Sequence, residues 1–113
     1  MTLSTHVLDA TTGRPAAGVR VRLERGHDGG WALTSQGQTD PDGRLRLARD
    51  GSTAEIEPGV YRITFATGAY FTARGVTAFY PEVTITFEMS APDEHYHVPL
   101  LLSPFAYSTY RGS

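Results

Sequence analysis

The 113-residue chain contains no cysteine, and its ten basic residues are all arginine, with no lysine anywhere. Without cysteine there is no disulfide framework, no thiolate nucleophile and no cysteine metal site. Without lysine there is no Schiff-base or lysine-nucleophile chemistry. Long hydrophobic runs are missing as well, since no stretch approaches the roughly 18 apolar residues that a membrane span requires. The opening Met1-Thr2-Leu3-Ser4-Thr5-His6-Val7 has neither a basic n-region nor an apolar h-region, and a soluble, unprocessed, cytoplasmic protein with no membrane partner is expected. Charge of one sign is not in excess: twelve acidic residues nearly balance ten basic ones, for a net charge of −2. Bulk charge therefore gives no support to a nucleic-acid partner. No Gly-x-Ser-x-Gly elbow is present for a serine hydrolase. The length fits a single domain over residues 1–113, enough to bury roughly two-thirds of its unfolded surface, with no room for a separate cofactor-binding domain.

What the chain does have is period-two alternation. In Val19-Arg20-Val21-Arg22-Leu23-Glu24-Arg25 the apolar residues fall at every second position, as in a half-buried strand. Val83 to Met89 repeats the pattern, with Val83, Ile85, Phe87 and Met89 inward, and Val60 to Phe65 is a third, β-branched and aromatic run. Asp40-Pro41-Asp42-Gly43 has turn chemistry and delivers Arg44-Leu45-Arg46-Leu47 as the start of a strand. Breaks at Gly13-Arg14-Pro15, at Gly29-Gly30 and at Glu57-Pro58-Gly59 have the spacing of an all-β sandwich, and His27 falls in the second of these loops. Ala69 to Arg74 predicts about two helical turns closed by Gly75 at C′. The expected fold is all-β, a small antiparallel β-sandwich with one short helix.

Two of these strands have unusual outer faces. In His95-Tyr96-His97-Val98-Pro99-Leu100-Leu101-Leu102, residues 96, 98, 100 and 102 make a continuous core face. The opposite face carries His95, His97, Pro99 and Leu101, where a solvated strand would carry charge and threonine. Along Leu3 to Leu8, Leu3, Thr5 and Val7 share one side, and Ser4, His6 and Leu8 the other. Outer faces that mix imidazole with apolar groups point to a partner surface, hence to an oligomer whose interface holds histidines. His95 and His97 also share a strand face, but no cysteine or suitably spaced acidic residue accompanies them, and a dedicated metal site is not expected.

His6-Val7-Leu8-Asp9, then Gly13-Arg14-Pro15 and Gly18-Val19, resembles the N-terminal signature of the transthyretin family. His95-Tyr96-His97-Val98-Pro99-Leu100-Leu101-Leu102-Ser103-Pro104, followed by Tyr107-Ser108-Thr109-Tyr110-Arg111-Gly112-Ser113, is similar to the 5-hydroxyisourate hydrolase branch of that family. The resemblance covers essentially the whole chain, with Arg25 to Gln38 as its loosest segment. It implies a transthyretin-like sandwich that assembles as a homotetramer, with substrate sites in a channel between dimers. It implies that the substrate is 5-hydroxyisourate, an oxidised purine of urate breakdown, and that a lactam in its six-membered ring is opened by water. It assigns catalysis to His6, Arg44, His97 and Ser113, with His95, Tyr110, Arg111 and Gly112 lining or supporting the pocket, and it requires no metal or organic cofactor. Imidazole suits general-base work near neutrality, and the planar guanidinium of Arg44 suits an oxyanion or a ureido carbonyl. The competing implication is a non-catalytic, transthyretin-like module that binds a small ligand.

Overall fold

The computed structural model describes residues 1–48, 56–91 and 93–113. Its elements run β1 (Thr2–Asp9), β2 (Arg14–Pro15), β3 (Arg20–His27), β4 (Gly30–Gln38), β5 (Arg44–Ala48), β6 (Gly59–Phe65), α1 (Thr67–Thr72), β7 (Val83–Met89), β8 (His95–Ser103) and β9 (Ala106–Thr109). One sheet has the order β2-β1-β8-β9, with β5 also paired to β1, and the other has the order β4-β3-β6-β7. Between them lies the core that the alternation implied. Leu3 and Val7 of β1, Tyr96, Val98, Leu100 and Leu102 of β8, Val21 and Leu23 of β3, and Tyr61, Ile63 and Phe65 of β6 are all buried. Each such side chain contributes about 1.5–3 kcal/mol on leaving water.

Several details differ from the sequence-based expectation. The sandwich is not wholly antiparallel: β1 and β8 run parallel, from Thr2 opposite His95 to Asp9 opposite Leu102. The two strands are far apart in the chain, so no hairpin constrains their sense. His27 closes β3 rather than sitting in a loop, because Asp28 (φ 31°) and Gly29 (φ 78°) make a two-residue turn into β4. Both central residues have positive φ, the geometry that matches strand twist in tight hairpins. The helix starts and stops two residues earlier than the pattern suggested. Gly68 N–H donates to the Pro81 carbonyl at 3.0 Å, drawing the preceding residues into the first turn. Gly75 keeps its expected place: at φ +69° it donates to the Thr72 carbonyl, and Val76 donates to that of Phe71.

Asp9 is a buried residue that the outer-face argument passed over. Its carboxylate accepts from Thr11 N–H at 2.9 Å and from the Tyr70 hydroxyl at 2.9 Å, tying β1 to α1. The Asp40–Gly43 turn forms as expected, with Gly43 N–H donating to the Asp40 carbonyl at 2.8 Å. Gly43 has φ +76°, and a Cβ there would lie 2.4 Å from the Val7 carbonyl oxygen. Only glycine brings this turn close enough to β1 to set Arg44 opposite His6.

Candidate active site

The outer face of the first sheet gathers the singled-out side chains through register alone. Parallel pairing sets Ser4 beside His97 and His6 beside Pro99, and antiparallel pairing to β5 sets His6 beside Arg44 and Ser4 beside Arg46. Two rows therefore cross the sheet, Arg44–His6–Pro99 and Arg46–Ser4–His97. Directly paired residues in a ladder share a face, so three strands contribute to one polar surface.

The hydrogen bonds define which ring atoms are free. His6 Nε2 lies 3.0 Å from the Asp42 carbonyl oxygen. A carbonyl only accepts, so His6 carries its proton on Nε2, and in the neutral ring Nδ1 is the basic atom. Ser4 Oγ lies 2.8 Å from His97 Nδ1 and 3.1 Å from His95 Nε2, and Thr2 Oγ1 bonds His95 Nδ1. The two rings are nearly parallel, with centroids 6.4 Å apart. Among the described residues His97 Nε2 has no hydrogen-bond partner. Burial, reinforced by His95, Arg44 and His6, holds the half-buried His97 imidazole below the ordinary histidine range, against an opposing hydrogen bond to the Ser4 backbone. His97 is therefore neutral at pH 7, the state a general base requires.

Pro99 explains how the C-terminal segment reaches this surface. β9 pairs with β8 as far as Leu100 opposite Thr109 and ends there. Pro99 has no N–H to continue the ladder, and its carbonyl instead takes the Thr109 hydroxyl at 2.7 Å. Contact resumes where Gly112 N–H donates to the His97 carbonyl at 2.8 Å. This puts residue 112 opposite His97, where a Cβ would lie 2.5 Å from the His97 ring atom Cδ2. The bare backbone of Gly112 lies against the imidazole. Pro99 lies on the outer face of β8 as the alternation implied, yet it is buried, while Leu101 on the same face is exposed.

The remaining expected residues are arranged less directly. Arg111 donates to Glu94 at 2.7 Å and lies over the Tyr96 ring at 4.8 Å, so both of its contacts are to protein. Tyr110 and Arg111 line, with His97, a cavity of about 250 Å³ whose other walls include Ile85, Phe87 and Val98. Arg44 lines a separate hollow of about 420 Å³ with Ser4, Asp40 and Arg46. Ser113 is exposed and has no hydrogen bond among the described residues. Ser4, Thr2 and Arg46 were not singled out from the sequence. The signal was present, since residues 2, 4 and 6 share a side, but the pairing partner that gives it meaning lies 93 residues away. Among the described residues no group of three His, Asp, Glu or Cys gathers at metal-holding distance, and no helix is long and apolar enough to cross a membrane.

A two-sheet sandwich with imidazole, hydroxyl and guanidinium groups across one outer face defines the class. The profile of the HIUase/Transthyretin family matches residues 3–112, and the chain belongs to that family. It is 50% identical over 111 residues to the 5-hydroxyisourate hydrolase of Salmonella dublin, covering 98% of this chain and 80% of that one. The Klebsiella pneumoniae 5-hydroxyisourate hydrolase structure superimposes with a TM-score of 0.84 at 37% identity, covering all of both chains. Sea bream transthyretin in complex with thyroxine gives a TM-score of 0.87 at 35% identity, covering 97% of this chain and 93% of that one.

Proposed function

We propose that this chain is a 5-hydroxyisourate hydrolase of urate degradation, which adds water across a lactam of the oxidised purine and opens its six-membered ring. The observation that carries the reading is the neutral His97, with Nε2 free, on one face with His6 and the always-charged Arg44. In the attack step His97 Nε2 takes a proton from water as the C–O bond forms, and Arg44 donates to the oxygen on which negative charge develops. Preorganised donors of this kind give the largest single term in many such reactions. The ring C–N bond then breaks and its nitrogen takes the proton. His6, fixed by Asp42, assists through Nδ1, while Gly112 and Arg111 hold the terminal segment against His97, and Tyr110 and Ser113 hydrogen-bond the substrate. His95 supports His97.

The working form is a homotetramer, with the substrate in a channel between dimers. Support comes from the apolar groups left uncovered in one chain: Phe79 is 70% exposed, Phe105 66%, Tyr107 41% and Leu101 37%. Leu101 stands opposite Leu8 on the same face as His6 and His97, so covering this face encloses the polar rows in a medium of lower dielectric, where charge stabilisation is stronger. The reading takes the whole of residues 1–113 as one domain in the cytoplasm. A carrier for a small apolar ligand is the second reading, favoured by the likeness to the thyroxine complex. Against it stand three imidazoles and two guanidiniums on the face that would enclose the ligand. Ultraviolet decay of freshly generated 5-hydroxyisourate tests the choice: a hydrolase accelerates the decay, and a carrier leaves it unchanged.

A further inference from the structure

Thr2 Oγ1, His95 Nδ1, His95 Nε2, Ser4 Oγ and His97 Nδ1 form a continuous hydrogen-bonded chain across two parallel strands, from an exposed ring to a half-buried one. Ser4 sits at its centre, in contact with one nitrogen from each imidazole. A serine hydroxyl has a single proton to donate and two lone pairs with which to accept. When Ser4 gives its one proton to one ring it accepts from the other, and the two tautomers are then linked. We propose that Ser4 is a positioning and relay residue, donating to His95 Nε2 and accepting from His97 Nδ1–H, so that His97 presents a bare Nε2 to water and shares its proton with His95.

The proposal rests on the hydrolase reading above and adds a path for charge. As water attacks, its proton goes to His97 Nε2. The Nδ1 proton of His97 moves to Ser4 Oγ, and the Ser4 proton moves to His95 Nε2. His97 is then neutral and protonated on Nε2, and the positive charge rests on the exposed His95. When the ring C–N bond breaks, Nε2–H protonates the leaving nitrogen, and the two relayed protons return from His95 through Ser4 to His97 Nδ1. The water proton ends on the product nitrogen, and every group regains its starting form. The physical gain lies in the other groups that disfavour charge on His97: Arg44 from β5 and His6 from β1 are cationic or titratable. An imidazolium held beside them is repelled, whereas one on His95 is solvated.

Ring 15N NMR of the resting protein reads the tautomers without substrate, so failure here is separable from failure of the hydrolase reading. The expected spectrum has His97 protonated on Nδ1 and bare on Nε2, with the Nε2–H form gaining population in Ser4→Ala. Turnover in Ser4→Ala is expected to fall by at least about tenfold, a part of the usual general-base contribution, with KM little changed. Ser4→Thr keeps the hydroxyl and should restore most of it. Adding His95→Asn to Ser4→Ala should give little further loss, since each breaks the same chain. His97 protonated on Nε2 in the wild type, full turnover in Ser4→Ala, or independent and additive losses would each overturn the proposal.

Discussion

Replacing Gly112 by alanine tests how the terminal segment serves His97. The new Cβ would stand 2.5 Å from His97 Cδ2, 3.2 Å from Cγ and 3.3 Å from Cβ, all in one side chain. Ordinary contact begins near 3.4 Å, so ring and tail must separate by about 1 Å. The ring has little freedom to yield, because Ser4 holds Nδ1 at 2.8 Å. The tail has one backbone bond to β8 in this stretch, Gly112 N–H to the His97 carbonyl, so either the ring leaves Ser4 or the tail lifts away. Gly112 does not occupy the left-handed region, and alanine carries no backbone strain there. A misplacement of about 1 Å lowers turnover about 10²-fold when it falls on a catalytic group. The expected result is kcat for 5-hydroxyisourate down about 10²-fold with a melting temperature close to wild type. Wild-type kcat in Gly112→Ala would refute the view that the tail positions this histidine.

Deleting Arg111-Gly112-Ser113 should impair activity far more than thermal stability, since it removes the Glu94 and Tyr96 contacts of Arg111 but no core side chain. Full activity in the truncated chain, by the same decay assay, would contradict this. Tyr70→Phe should do the reverse: it takes one hydrogen bond from the buried Asp9 carboxylate and lowers unfolding free energy in urea by about 1.5–3 kcal/mol, with kcat unchanged. The acid limb of kcat/KM should lie below the range of an ordinary histidine, because His97 is held neutral by burial and by neighbouring charge. The same shift lowers stability as pH falls: the unfolded chain takes up the proton at about 6.5, before the folded chain does. Leu101→Arg should give a folded, smaller species by light scattering with hydrolysis lost, since two-fold symmetry brings like charges together. A monomer hydrolysing at the wild-type rate would rule out an interface site.

The sandwich was legible because period two reports burial directly. Leu3, Val7, Val98, Leu100 and Leu102 are inside as the alternation required, and His6, His95 and His97 face out of the core. What alternation does not contain is pairing. That β1 lies parallel to β8 depends on tertiary packing, and only that register puts Ser4 between His95 and His97. The break in the β8–β9 ladder was equally hidden, although Pro99 was in view, because a missing N–H matters only once its neighbour is known. Helix ends slipped by two residues at α1, where Gly68 answers to Pro81 rather than to the local pattern. Asp9 was read as part of a motif, and its work is structural.

The most direct measurement is the ultraviolet decay of freshly generated 5-hydroxyisourate with no protein, with wild type and with His97→Asn. Asparagine keeps similar size and polarity but cannot act as a base, and the fold should survive, since His97 is outside the core. The account predicts strong acceleration by wild type and a loss of at least about 10²-fold in His97→Asn at unchanged melting temperature and assembly. No acceleration by wild type, or a fully active His97→Asn, would contradict it.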